Sequence, residues 1–234
     1  MQHNHIVRGV AFSPGPRPTY LATGGFEKKL RIYDMSTAGG SNTVEEVVPV
    51  TDPGCFEIGA GVHEGTIKSV IWTPDPNVLV TAADDKKLRW FDIRANGVIQ
   101  TYNLDAIPSS CELNVNPSGE AHDEAVLSVA AGKTAYFFSG NTPGSLFKSH
   151  TLPKEIASVG INTKLGKFVT GSTGDTWVRV YELNDASEIA VHKGHHGPVW
   201  STNFSPDGNL FATGSEDGTI KLWKFTNTPY GLWK

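Results

Sequence analysis

Histidine and carboxylate residues recur in this 234-residue chain, each at a fixed distance from an aromatic. His195 precedes Asp217, His63 precedes Asp85, and His3 precedes Glu27. An aromatic follows each of these histidines nine residues on: Phe204, Trp72 and Phe12. Another follows each acid six residues on: Trp223, Phe91 and Tyr33, with Asp175 and Tyr181 as a fourth such pair. An imidazole beside a carboxylate can act as an oriented general base, and clustered histidines can ligate a metal. Recurrence argues against catalysis, because a unique active site would not be copied from repeat to repeat. The chain has no Ser in a G-x-S-x-G elbow. Gly132-Lys133-Thr134 resembles the end of a phosphate loop, but Leu127 stands where its first Gly belongs. His192, His195 and His196 lie close in sequence, with His3 and His5 elsewhere. A structural metal site needs four ligands in fixed geometry, and Cys55 and Cys111 lack ligand spacing. No catalytic residue, cofactor or metal is assigned.

The elements that must position these groups are short strands. Residues 194–223 break into three β-like runs, separated by Ser205-Pro206-Asp207-Gly208 and Glu216-Asp217-Gly218. Pro presets φ in such turns and Gly tolerates positive φ. A three-strand meander of this size cannot bury its own face and needs copies on either side. Tyr33, Phe91, Tyr181 and Trp223 mark those copies; the interval of 90 residues between Phe91 and Tyr181 leaves room for one degenerate repeat. The reading is one domain over residues 1–234, with repeats at about 3–62, 63–103, 104–151, 152–193 and 194–234. The third repeat lacks both the histidine and the turn acid; the fourth lacks the histidine. Residues 36–61 form the longest connection, with a tip at 38–42 and an outer strand at 44–50 or 55–59.

Gly194-His195, Ser205-Pro206-Asp207-Gly208, the run 214–223, and the pairs Tyr33-Asp34 and Phe91-Asp92 resemble WD repeats. The resemblance implies an all-β propeller of four-stranded blades. Five repeats are present, and a seven-bladed relative leaves the expectation of an incomplete ring without its first two blades. It also implies a hydrogen-bonded chain in each complete repeat: His195, Asp217, Thr213 or Ser215, and Trp223. Alternation puts Thr213 and Ser215 on one face and does not choose between them. Phe91 has no N–H to extend the His63–Asp85 set. The longer Glu27, in a repeat with His3 and Tyr33, is expected to complete its network less well.

A narrower likeness is carried by His3-Asn4-His5-Ile6-Val7, Leu21-Ala22-Thr23-Gly24-Gly25, Leu30-Arg31-Ile32-Tyr33-Asp34, Ala83-Asp84-Asp85-Lys86, Gly194-His195-His196-Gly197-Pro198 and the terminal Tyr230-Gly231-Leu232-Trp233-Lys234. These are similar to the family of serine/threonine kinase receptor-associated WD-repeat scaffolds. That resemblance implies a non-enzymatic scaffold in a multi-subunit complex: spliceosomal ribonucleoprotein assembly and messenger-RNA processing with a survival-of-motor-neuron-type complex. The alternatives are a propeller subunit of a translation initiation factor complex, against which the closing Tyr-Gly-Leu-Trp-Lys argues, and an adaptor for receptor serine/threonine kinases.

Net charge is −4 and the isoelectric point about 6.0, so no global cationic field serves nucleic acid or anionic lipid. RNA contact is expected to be indirect at most. No apolar run is long enough to span a membrane, and the first residues do not form a signal peptide. Two cysteines are too few for a disulfide scaffold, so the expected compartment is the reducing cytosol or the nucleus. The sequon Asn203-Phe204-Ser205 is expected to be inert there. Lys28-Lys29 with Arg31 and Lys86-Lys87 with Arg89 occupy the same place in adjacent repeats. They are either a solvated turn or a rim that docks an acidic or phosphorylated segment. The open blade ends are expected to self-associate or take a partner.

Overall fold

The computed structural model describes residues 3–35, 54–115, 125–205 and 207–225, and these contain strands and turns but no helix. Among the described residues nineteen strands form five antiparallel sheets in chain order. The first comprises β1 (Val7–Phe12), β2 (Tyr20–Gly25), β3 (Leu30–Asp34) and β4 (Cys55–Ile58). The second comprises β5 (Ile67–Trp72), β6 (Val78–Ala83), β7 (Lys87–Asp92) and β8 (Gly97–Asn103). The third comprises β9 (Pro108–Asn114), β10 (Val126–Ala131), β11 (Thr134–Ser139) and β12 (Leu146–Thr151). The fourth comprises β13 (Ile156–Asn162), β14 (Lys167–Ser172), β15 (Val178–Glu182) and β16 (Glu188–His192). The fifth, among the described residues, comprises β17 (Val199–Phe204), β18 (Leu210–Ser215) and β19 (Ile220–Lys224). The fold is therefore all-β, as its repeats require. β4 is the outer strand expected at 55–59; the alternative at 44–50, the tip at 38–42 and the tail 226–234 lie outside the described residues.

The meander arises because each strand pair is closed by residues suited to its turn. Asp75 accepts from the N–H of Asn77 at 2.8 Å, and Asp207 from that of Asn209 at 3.0 Å. Gly132-Lys133 is a two-residue hairpin between β10 and β11, with Gly132 at φ 59°, which accounts for a phosphate-loop ending that has no loop. In the first, second and fifth sheets the turn between the second and third strands takes a left-handed residue. Gly218 supplies it at φ 77°, but Lys28 and Lys86 supply it at φ 60° and 61°. A register shift recurs near the start of the first strand in four sheets, at Val7/Gly9, Ile67/Ser69, Ile156/Ser158 and Val199/Ser201.

Two compact units are present: Met1–Pro108 with Asn141–Gly144, and Ser109–Gly140 with Ser145–Lys234. Within the first, the core joins Leu30, Ile32 and Ile58 of one sheet to Ile67, Val70 and Trp72 of the next. Each buried Leu or Ile there contributes about 1.5–3 kcal/mol. The Trp72 indole donates to the Ala11 carbonyl at 3.0 Å across the same interface. Within the second unit, Phe137, Val159, Phe168 and Tyr181 share one cluster, and Val178, Val180, Val199 and Phe211 share another. Ser128 and Ser158 donate to the carbonyls of Val159 and Val199 at 3.1 and 3.2 Å, so these two buried hydroxyls between sheets are paired. Gly24 and Gly171 stand where the next sheet comes closest: an added Cβ would lie 2.7 Å from Ile67 and 2.2 Å from the Val199 carbonyl.

Candidate functional site

The histidines and acids meet because two connections lie side by side in each sheet. The histidine stands four residues before the first strand, and the acid opens the turn between the second and third strands. In the fifth sheet the result is one chain of hydrogen bonds. The Trp223 indole N–H donates to Thr213 Oγ1 at 2.7 Å, and Thr213 Oγ1 lies 2.7 Å from His195 Nε2. His195 Nδ1 lies 3.1 Å from Asp217 Oδ2. With the Thr213 hydroxyl donating onward, Nε2 accepts and Nδ1 carries the proton that faces the acid. Geometry thus selects Thr213; Ser215 instead donates to the Gly197 carbonyl at 2.9 Å. Asp217 also accepts from Thr219 Oγ1 at 2.6 Å and from the N–H of His196 at 2.8 Å. The Thr219 and His196 bonds hold its carboxyl well below the ordinary range.

The second sheet uses the same positions differently. His63 Nε2 lies 2.8 Å from Thr81 Oγ1, and the ring stacks on Phe91 with centroids 5.5 Å apart. Asp85 turns away from the ring to Arg89, whose Nη2 is 2.8 Å from Oδ2, with both side chains buried. His63 Nδ1 and Arg89 Nη1 have no hydrogen-bond partner among the described residues. Burial, reinforced by the Arg89 charge, pushes His63 down to about 4. Burial alone would raise the Asp85 carboxyl; hydrogen bonds from Arg89 and the Glu64 N–H outweigh it and lower it.

In the first sheet Arg31 pairs with Glu27 and also donates to His3 Nδ1 at 2.7 Å. The His3 proton is thereby placed on Nε2, which lies 3.2 Å from both Thr23 Oγ1 and the Tyr33 hydroxyl. This tautomer is the reverse of His195, and the arginine is the reason. Glu27 reaches the backbone N–H groups of Asn4 and His5 as well, so the longer acid completes its network rather than falling short. The hydrogen bond from Arg31 is the main cause of a Glu27 carboxyl lowered to about 2. Burial drives the Tyr33 hydroxyl up to about 12.

The fourth sheet keeps the acid and the arginine without the imidazole. Arg179 grips Asp175 with both nitrogens, at 3.1 and 2.7 Å. The residue after the histidine donates its N–H to the acid in the other cases, through Asn4, Glu64 and His196. Pro153 holds that place here and has no N–H, and Lys154 Nζ substitutes at 2.9 Å. Leu152 occupies the histidine position and is buried, as Leu104 is before the third sheet. Tyr181 lies in the core beside Phe168, and burial raises its hydroxyl to about 12.

The arginines Arg31, Arg89 and Arg179, each four residues after its acid, are the site residues that sequence reading missed. Two of them were grouped with the lysine rim, yet their side chains turn inward. Their signal was a constant offset, with Lys221 in the fifth repeat. Of the rim lysines, Lys29 pairs with Glu57 at 3.1 Å and Lys87 with Glu64 at 3.5 Å. Lys28 and Lys86 are exposed at the turn tips. No group of three or more His, Cys, Asp or Glu that could hold a metal occurs among the described residues, and His192 packs against Trp223 with ring centroids 4.9 Å apart. Hydrogen-bonded imidazoles and saturated carboxylates make these sites staples that tie a loop to a turn.

Repeated four-stranded meanders stapled in this way define the WD-repeat β-propeller class. The family described as WD domain, G-beta repeat matches residues 61–92 and 186–224. Over 235 aligned residues, 100% of this chain, the sequence is 35% identical to serine-threonine kinase receptor-associated protein of Gallus gallus, of which 59% is covered. It is 32% identical to the protein of that name from Dictyostelium discoideum, covering 96% of this chain and 68% of the relative. The chain belongs to the serine-threonine kinase receptor-associated protein family of WD-repeat proteins. It spans 59% of the length of the vertebrate relatives it matches. Eukaryotic translation initiation factor 3 subunit I of Drosophila willistoni is 26% identical over 95% of this chain and 70% of the relative.

Proposed function

We propose that the chain is a non-enzymatic scaffold in the cytoplasm and nucleus, serving spliceosomal ribonucleoprotein assembly within a survival-of-motor-neuron-type complex. The observation that supports this is the use of the conspicuous histidines, carboxylates and arginines as internal staples, which leaves the outer surface to bind. Family membership supports the choice of setting over the translation-factor reading, whose relative is less similar. RNA is contacted through partner proteins, the net charge of −4 being unsuited to a nucleic-acid groove. Lys28 and Lys86, with Lys29 and Lys87 beside them, form the rim that docks an acidic segment. Self-association through uncovered sheet faces belongs to the same reading. No helix among the described residues is long and apolar enough to cross a bilayer. Capture of the tagged chain from its own cells, before and after ribonuclease, tests the proposal. The expected result is ribonuclease-resistant recovery of survival-of-motor-neuron complex subunits. Recovery of translation initiation factor 3 subunits in their place would overturn it.

A further inference from the structure

We infer that β19 of one copy of the chain stacks on β1 of a second copy, in the manner in which successive sheets stack within each unit. This deepens the self-association reading by naming the faces and the occupant. The third strand of a sheet presents two apolar residues to the sheet that follows. In the first sheet they are Leu30 and Ile32, exposed by 1% and 0%; in the fourth they are Val178 and Val180, at 0% and 1%. Register places Ile220 and Leu222 at the same positions of β19, where they are 78% and 70% exposed. Gly214 gives a second, independent sign. Its counterparts Gly24 and Gly171 are crowded by the first strand of the next sheet, at 2.7 and 2.2 Å from an added Cβ, whereas the nearest atom to Gly214 is Ser201 Cβ of its own sheet at 3.8 Å. A strand-approach glycine is in place with no strand approaching it among the described residues.

The complementary face is on β1. First strands present alternate residues to the sheet before them. Val70 and Trp72 of β5 do so at 5% exposure each, packed in the core shared with Leu30 and Ile32. The corresponding Val10 and Phe12 of β1 are 59% and 58% exposed. Among the described residues the chain thus carries one uncovered donor face and one uncovered acceptor face, both continuing the series of sheet interfaces already formed within its units. A second copy supplies to each face the residue types that cover its counterparts. Such a contact is heterologous, so a copy that pairs through one face still offers the other, and assembly either closes into a ring or continues as a filament.

The test uses two variants of the full chain: Val10→Asp with Phe12→Asp, and Ile220→Asp with Leu222→Asp. All four side chains are solvent-exposed, and melting curves check that both variants fold. Mass is followed by sedimentation over a hundredfold concentration range. The native chain is expected to rise above its 25.2 kDa monomer mass with concentration. Each variant alone stays monomeric. An equimolar mixture forms a 1:1 heterodimer and nothing larger, because only one intact donor face and one intact acceptor face remain. A native chain that is monomeric throughout overturns the proposal and leaves the faces to another partner. So does a mixture that stays monomeric, or a single variant that still assembles. Because only purified chain is used, these outcomes leave the reading of its protein partners untouched.

Discussion

Arg89 Nη2 lies 2.8 Å from Asp85 Oδ2, and this pair takes the carboxylate that His63 Nδ1 would otherwise hold. In the fifth sheet Lys221 stands at the arginine position, and His195 keeps its acid. One residue, four positions after the acid, therefore decides whether the imidazole or a guanidinium closes the staple. The consequence is electrostatic. A buried ion pair stripped of one partner costs far more than it contributes intact, so Arg89 and Asp85 depend on each other more than either depends on His63.

Stability should fall with acid through His63. Its folded value of about 4 lies below the ordinary 6.5, so between these the unfolded chain binds more protons. This contribution is fully present above pH 6.5 and is lost as pH falls toward 4, amounting on the order of 3 kcal/mol. His63→Leu, the residue type found at this position before the third and fourth sheets, should flatten that acid limb. Denaturant titrations of both proteins between pH 7.5 and pH 4 (roughly spanning the two values) measure the difference.

Glu112 acts in the opposite direction. Burial raises its carboxyl to about 7 from 4.5, and its Oε2 has no hydrogen-bond partner among the described residues. The unfolded carboxyl ionises first, so stability is lost as pH rises from 4.5 to about 7. Glu112→Gln should raise stability at about pH 8 by on the order of 2–3 kcal/mol and leave it nearly unchanged at about pH 4. An equal effect at both values would rule out ionisation as the cause.

Thr213 should outweigh Ser215. Thr213→Val strands the Trp223 N–H and His195 Nε2 together, a loss of about 1–3 kcal/mol. Ser215→Ala removes a bond to a loop carbonyl, about 0.5–1.5 kcal/mol. Urea midpoints of the two variants give the ranking directly.

Glu27→Ala should lower the melting temperature at least as far as Asp217→Ala. The change releases Arg31 and two backbone N–H groups as well as the imidazole region. A clearly smaller shift than for Asp217 would restore the ranking expected from side-chain length alone.

Lys86→Gly should stabilise the turn between β6 and β7 by about 1 kcal/mol, since a non-Gly residue at φ 61° carries left-handed strain. If the rim binds, the same change should also weaken partner capture, and Lys86→Asn, tolerant of that φ, should match it. Undiminished capture by both would remove Lys86 from the docking surface.

Spacing along the chain determined the repeats, the all-β class and which histidine belongs with which acid, because a meander fixes the strand order and keeps those partners local. Glu27, Asp85, Asp175 and Asp217 were legible as turn acids for that reason. Thr213 over Ser215 was not, because both lie on one face of β18 and only the depth of each beneath the next connection separates them. The role of the arginines was not legible because a turn lysine and an arginine just after it look alike in sequence, while Lys28 and Lys86 stand at exposed turn tips and Arg31 and Arg89 reach back to the turn acids. The tautomers of His3 and His195, and the exposure of Ile220 and Leu222 where Leu30 and Ile32 are buried, were decided by tertiary structure alone. Each depends on what a neighbouring connection or sheet brings against the residue, and no local pattern encodes that.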